Sequence, residues 1–280
     1  MSNNQDINAG DYSTNVQGKQ VSVNQTYSGI SYPDVKEIAM DVFKSNFYDL
    51  GNKVDEIVNE RAETIINKYL DKLKKIDPNS IKNTEDPDLR YVIYEAQKNH
   101  ARRGDEDIGE LLVDVLVKRT MTENESLKKL ILNEAITIIP KLTLKQIDIL
   151  SIIFLMRYLN FIKEVPVEAF IATVNKLNKG LGIADNESFY PHLEYTGCIS
   201  ISIGSVDFKR IMITKFTQIN NEEEAVKIIA SNPELSSLSR MWNNTKLCNS
   251  SLTSVGLAIA ISNIKIKTGL EWDLNIWVNE

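Results

Sequence analysis

KVDEIVNERAETIINKYLDKLKK, residues 53–75, carries a single apolar stripe: Val54, Ile57, Val58, Ala62, Ile65, Ile66, Tyr69, Leu70 and Leu73. These residues recur at three- and four-residue intervals, the period of one face of an α-helix. At 1.5 Å per residue the helix is about 35 Å long. Glu56, Glu60, Arg61, Glu63 and Lys68 fall on the other faces, where opposite charges pair at helical spacing. One covered face and one wetted face predict either a bundle within the chain or a coiled coil with a second subunit. The fold class that follows is mainly α.

The same period continues on both sides. Pro33 opens a helix carrying Val35, Ile38, Ala39, Val42, Phe43 and Phe47, and Gly51-Asn52 ends it. Asp86-Pro87 opens a third helix, with Leu89, Val92, Ile93 and Ala96 inward. A fourth runs over 108–119 on Leu111, Leu112, Val115 and Leu116. Thr122 and Glu125 form the sequence pattern of a capping box for a fifth, 124–139, which Pro140 stops. Thr143 caps a sixth apolar helix. Its run over 147–161 is interrupted by Asp148, Arg157 and Asn160 and is shorter than the ~20 residues a membrane span needs.

Beyond Pro166 the pattern changes. Residues 167–178 and 187–195 read as helices. Residues 198–203 then alternate as a strand, Gly204-Ser205-Val206-Asp207 reads as a turn, and 208–216 as a second strand. Helices follow from Asn221, from Pro233 and over 252–267, and 272–278 reads as a last strand. The expected organisation is a polar strand arm over 1–32, a helical bundle over 33–140, and an α+β, winged-helix-like part with a small antiparallel sheet over 141–280.

With 42% apolar and 25% charged residues the composition is that of a globular protein. The net charge is −6. Lys and Arg number 17 against 22 Asp and Glu over 33–140, and 14 against 14 over 141–280. Neither part is basic, which argues against nucleic acid and anionic membrane as partners. Cys198 and Cys248 sit among small and apolar residues, as buried free thiols do. The first thirty residues lack a secretory leader, so a cytoplasmic location is expected.

One dense set of ionisable groups stands out, His100 to Asp107. A hydrolase or nuclease would use His100 as a base and the acids after it as metal ligands, giving His100, Arg103, Asp105 and Asp107 as an alternative site. Their spacing matches no metal or hydrolase signature. The simpler reading has Arg102 and Arg103 closing one helix while Asp105, Glu106 and Asp107 begin the next at its positive end. Gly180-Leu181-Gly182 lacks the third glycine and the preceding strand of a phosphate loop, and no cofactor is expected. As a winged helix, 143–216 would place 186–195 in a DNA groove. That stretch has no Lys or Arg and two Glu, so the module reads as a protein-interaction version. Trp242, Trp272 and Trp277 read as core or interface anchors.

The beginning of the chain is different in kind. Nine of the first 25 residues are Asn or Gln, and Val21-Ser22-Val23-Asn24 alternates as a strand, with Val16 an earlier anchor. A lone strand leaves its backbone groups without partners and needs an edge elsewhere. Gly10-Asp11-Tyr12-Ser13-Thr14-Asn15-Val16-Gln17 resembles an N-terminal Gly-Asp-x-Ser-x-Asn-Val/Ile-Gln motif of bacterial proteins encoded near mobile elements and antiphage defence genes. The body resembles an uncharacterised bacterial family that carries this arm, through residues 27–38, Pro140-Lys141-Leu142-Thr143 and Leu252-Thr253-Ser254-Val255-Gly256. That resemblance implies a bacterial, defence-linked setting and brings no catalytic residues. The expected function is non-enzymatic: a sensor or scaffold that forms a homo-oligomer through Asn15, Val16, Gln17, Val21 and Val23, with the long helix over 53–75 and a protein partner as further contacts. An enzyme at His100–Asp107 and a winged-helix nucleic-acid binder are the alternatives.

Overall fold

The computed structural model of the chain describes residues 30–46, 52–122, 126–159, 166–178 and 188–278. The long helix is α2, Asn52–Ile76, preceded by α1, Tyr32–Asn46. From Val58 to Leu73 the stripe of α2 is buried against α1, α3 (Pro87–Arg103) and α4 (Glu106–Thr120). Val54 and Ile57, at its start, are exposed. The Tyr69 hydroxyl lies 2.8 Å from Thr120 Oγ1 and ties α2 to α4. A 3₁₀ segment, Pro78–Glu85, links α2 to α3.

The helix starts follow their caps. Asp86 accepts from the Asp88 N–H, Asp105 from Ile108 and Ser126 from Lys129. Ser126 therefore caps α5, Leu127–Ile138, in place of the expected Thr122–Glu125 box. Of that pair only Thr122 is among the described residues, and its hydroxyl donates to the Lys118 carbonyl. A 3₁₀ turn, Ile139–Lys141, leads to α6, Leu144–Arg157, where Thr143 and Gln146 form a true capping box.

Helices α6 and α12 (Ser254–Thr268) are apolar on nearly all sides, and both are buried. They pack on each other, and α12 also packs on α4, α5 and α7 (Val167–Asn178). The core is continuous from Val35 to Val278 and crosses residue 140. No helix among the described residues is long and apolar enough to cross a membrane.

After α8, Phe189–Tyr195, the structure corrects the expected hairpin. Strand β1, Ile199–Ile201, pairs antiparallel with β2, Ser250–Leu252, with Ser200 opposite Ser251. Residues 208–215 are α9, Phe208–Lys215. Asp207, expected in the turn, caps that helix by accepting from the Lys209 N–H, and Phe208, Ile211, Met212 and Lys215 are buried at i, i+3, i+4 and i+7. The wing of a winged helix is therefore absent among the described residues. Helices α10, Glu222–Ser231, and α11, Pro233–Asn244, follow as expected, capped by Asn221 and Asn232. The expected last strand is a 3₁₀ turn, Leu274–Ile276, started by Asp273. Its neighbours Trp272 and Trp277 pack edge-on against Phe154 at 5.5 and 4.9 Å between ring centroids, so these aromatics anchor the C-terminus on α6.

The start of α12 passes very close to β1. A Cβ on Gly256 would lie 2.0 Å from the Cys198 carbonyl oxygen, an atom that also accepts from the Thr253 N–H at 3.1 Å. Gly256→Ala is expected to destabilise the protein by about 1–3 kcal/mol, because a backbone carbonyl must move. Gly204→Ala, in open space, is the matched control. Urea denaturation of the two variants checks this. Equal stability would show that the α12–β1 approach is looser than described.

Candidate functional site

The five arm residues Asn15, Val16, Gln17, Val21 and Val23 lie outside the described residues. The structure places the other four candidates at the α3–α4 junction. Gly104 ends α3 in the left-handed conformation at φ 63°, and a Cβ there would meet the Arg61 guanidinium at 2.3 Å. Arg61 in turn donates to the Ala101 carbonyl, one of the last of α3. Arg103 reaches away to the Pro140 and Leu142 carbonyls at 2.6 and 2.9 Å, and its nearest contact with Asp105 is 3.9 Å. Asp105 is the N-cap of α4, Glu106 pairs with Lys68, and Asp107 is exposed.

His100 is buried with its ring against α4. A Cβ on Gly109 would touch Cε1 at 2.7 Å, and Nδ1 makes no hydrogen bond to the protein. Burial, with help from Lys68 and Arg61, holds its pKa below the usual 6.5, against the pull of Glu106 and Asp105. The junction thus has the form of two capped helix ends, with His100 inside it and the acids outside. Among the described residues no three His, Cys, Asp or Glu side chains are grouped to hold a metal ion.

A different set of groups does converge. Asp114, in the middle of α4, is 1% exposed. Its Oδ1 accepts from Lys72 Nζ of α2 at 2.7 Å and lies 3.8 Å from Lys265 Nζ of α12. Its Oδ2 lies 3.0 Å from Lys118 Nζ, one turn along α4. Lys118 also donates to Ser262 Oγ of α12 at 2.9 Å. Burial alone would raise the Asp114 pKa, but the Lys118 and Lys72 ammoniums hold it below the usual carboxylate range. Burial pushes the Lys118 ammonium down, and Asp114 opposes that shift.

This cluster borders a cavity of about 380 Å³ between α4, α5, α12 and the C-terminal 3₁₀ turn. Its apolar wall includes Val117, Leu132, Ile261, Trp272 and Leu274. At its mouth Lys265 pairs with Glu271, and Lys128 lies 3.4 Å from Asp273. A cavity of this size, mostly apolar with a few converging charges, suits a small molecule. No motif in the sequence marks it. The available signal was Asp114 itself, an acid inside the apolar run Leu111-Leu112-Val113-Asp114-Val115-Leu116-Val117.

The second histidine and the two cysteines sit in the packing. His192 Nδ1 lies 2.9 Å from Gln146 Nε2, beside the α6 capping box. Cys198 and Cys248 are free, and burial pushes the Cys198 thiol up to about 11.

A family model described as ":-like" matches residues 29–219 and again 209–278, together spanning every described residue. No curated protein and no solved structure matched the chain.

Two outcomes follow from these charges. Asp114→Asn leaves three ammoniums around a neutral amide and is expected to cost about 3–5 kcal/mol. Glu271→Gln, at a well-exposed partner, is expected to cost under about 1 kcal/mol. Urea denaturation at pH 7 compares them, and similar small losses would contradict the ion cluster. For His100, the unfolded chain binds a proton near pH 6.5 while the folded chain does not, so stability falls as pH drops below 6.5. In His100→Gln that part of the fall, measured between pH 7 and 5.5, is expected to disappear. An unchanged profile would place the His100 pKa at its ordinary value.

Proposed function

The chain belongs to the family of that model, and we propose that it is a cytoplasmic, non-enzymatic sensor or scaffold that self-associates through its N-terminal arm, in the antiphage-defence setting of the bacterial proteins the arm motif resembles. The observation that carries this reading is the arm itself: a strand pattern at Val21 and Val23, with Asn15, Val16 and Gln17 before it, ahead of a helical body.

The state of the sheet supports a second copy as the partner. The outer edge of β2 is occupied: the Leu252 N–H donates to the Tyr158 hydroxyl at 2.8 Å, and that hydroxyl lies 3.0 Å from the Leu252 carbonyl. On the outer edge of β1 the Ile201 N–H donates to the Glu194 carboxylate at 2.8 Å. At Leu252 an added strand finds both backbone groups engaged, whereas another arm brings a strand pattern of its own. Exposed Val54 and Ile57 at the start of α2 offer further apolar surface for such a contact.

The non-enzymatic part rests on the α3–α4 junction, where Arg103 and Asp105 are engaged on backbone groups, Asp107 is exposed and His100 is buried. The free thiols agree with a reducing compartment.

Removing residues 1–27 is expected to reduce the mass measured by light scattering to about that of one chain, from a multiple of 31.7 kDa for the full chain. Replacing Val21 and Val23 by Lys should have the same effect without shortening the chain. An oligomer unchanged by both alterations would overturn the assembly reading.

A further inference from the structure

The charges at the cavity between α4, α5 and α12 do not balance. Lys72, Lys118 and Lys265 gather around the single buried carboxylate of Asp114, and Glu271 pairs with Lys265 at the mouth. With the Lys128–Asp273 pair at the mouth included, four ammoniums face three carboxylates; Lys72 holds Asp114 from outside the lining, so Lys118 and Lys265 are left less than fully compensated on the cavity side. Lys118 is fixed there by Asp114 on one side and Ser262 on the other, so its ammonium is oriented before anything binds.

The carboxylate nearest the opening is the replaceable one. Glu271 is 59% exposed, and its pairing with Lys265 is a surface contact of small worth. An incoming anion can take its place on Lys265 and reach Lys118 behind it. Beyond the ammoniums the wall is apolar, with Leu132 and Ile261 on the helices and Trp272 on the C-terminal segment. The volume of about 380 Å³ exceeds what an inorganic anion fills and matches a compact organic molecule.

We propose that this cavity binds a small amphipathic organic anion: one carboxylate, sulfonate or phosphate head group held by Lys118 and Lys265, on an apolar body that packs against Trp272, Leu132 and Ile261. The ligand closes the contact between α4 and α12 on one side and the C-terminal turn on the other. The site is independent of the arm, so it stands or falls apart from the assembly reading.

The test uses the full chain and two probes of one skeleton, the anionic 8-anilinonaphthalene-1-sulfonate and the neutral N-phenyl-1-naphthylamine. The sulfonate is expected to bind saturably at one site per chain, with energy transfer from tryptophan. Lys118→Met should weaken it at least tenfold. Lys265→Met removes an ammonium that lies 3.8 Å from Asp114 rather than 3.0 Å, with less risk to folding, and should weaken it by a similar factor while circular dichroism stays unchanged. The neutral probe should bind more weakly than the sulfonate and be indifferent to both substitutions. Absence of saturable sulfonate binding, sulfonate affinity unchanged in Lys265→Met, or equal loss of both probes would each overturn the proposal.

Discussion

The packing of α12 on α6 is the contact on which the remaining structure rests. Both helices are apolar nearly all round, so each must be enclosed by other elements. A contact between two smooth apolar helices has little to fix its register, and here a few polar groups do so. Asn263 donates to Asp148 at 3.0 Å and to Ser151 at 2.8 Å, and Lys267 reaches Asp148 at 2.5 Å. Burial raises the Asp148 pKa, against the opposing effect of Lys267 and Asn263. The adjacent residue on α12, Ser262, turns to the other side and accepts from Lys118 of α4. Two neighbouring side chains thereby join α12 to both halves of the helical body.

The further parts follow from that position. β2 runs directly into α12 through the Thr253 cap, and Gly256 allows the helix to touch Cys198 beside β1. The small sheet is thus held by the start of α12 rather than by a hairpin. At the other end of α12, Gly269 stops the helix in the left-handed conformation, and the chain returns so that Trp272 and Trp277 rest on Phe154 of α6. The cavity beside Asp114 is the space left where this returning segment meets α4 and α5.

The helices were legible because each is amphipathic or capped by a local signal. The α2 stripe, Asp86-Pro87, Thr143 with Gln146, Asn221 and Asn232 all act within a few residues. The errors arose where a short apolar stretch fits two periods. Residues 208–216 alternate loosely as a strand and also place Phe208, Ile211, Met212 and Lys215 on one helical face, and the Asp207 cap decides between them. The partner of β1 lies some fifty residues away, and no local signal names it. Charge density along the chain does not locate the cavity either. The conspicuous run from His100 to Asp107 is a helix junction, whereas the cavity depends on Asp114, Lys118 and Lys265, which only the meeting of α4 with α12 brings together.

Amide hydrogen exchange tests the central place of the α6–α12 contact most directly. Residues 149–154 of α6 and 257–264 of α12 should be the slowest to exchange, and both should open with the free energy of global unfolding. Exchange of α12 through a separate, lower-energy opening, with α6 and α4 still protected, would contradict this account.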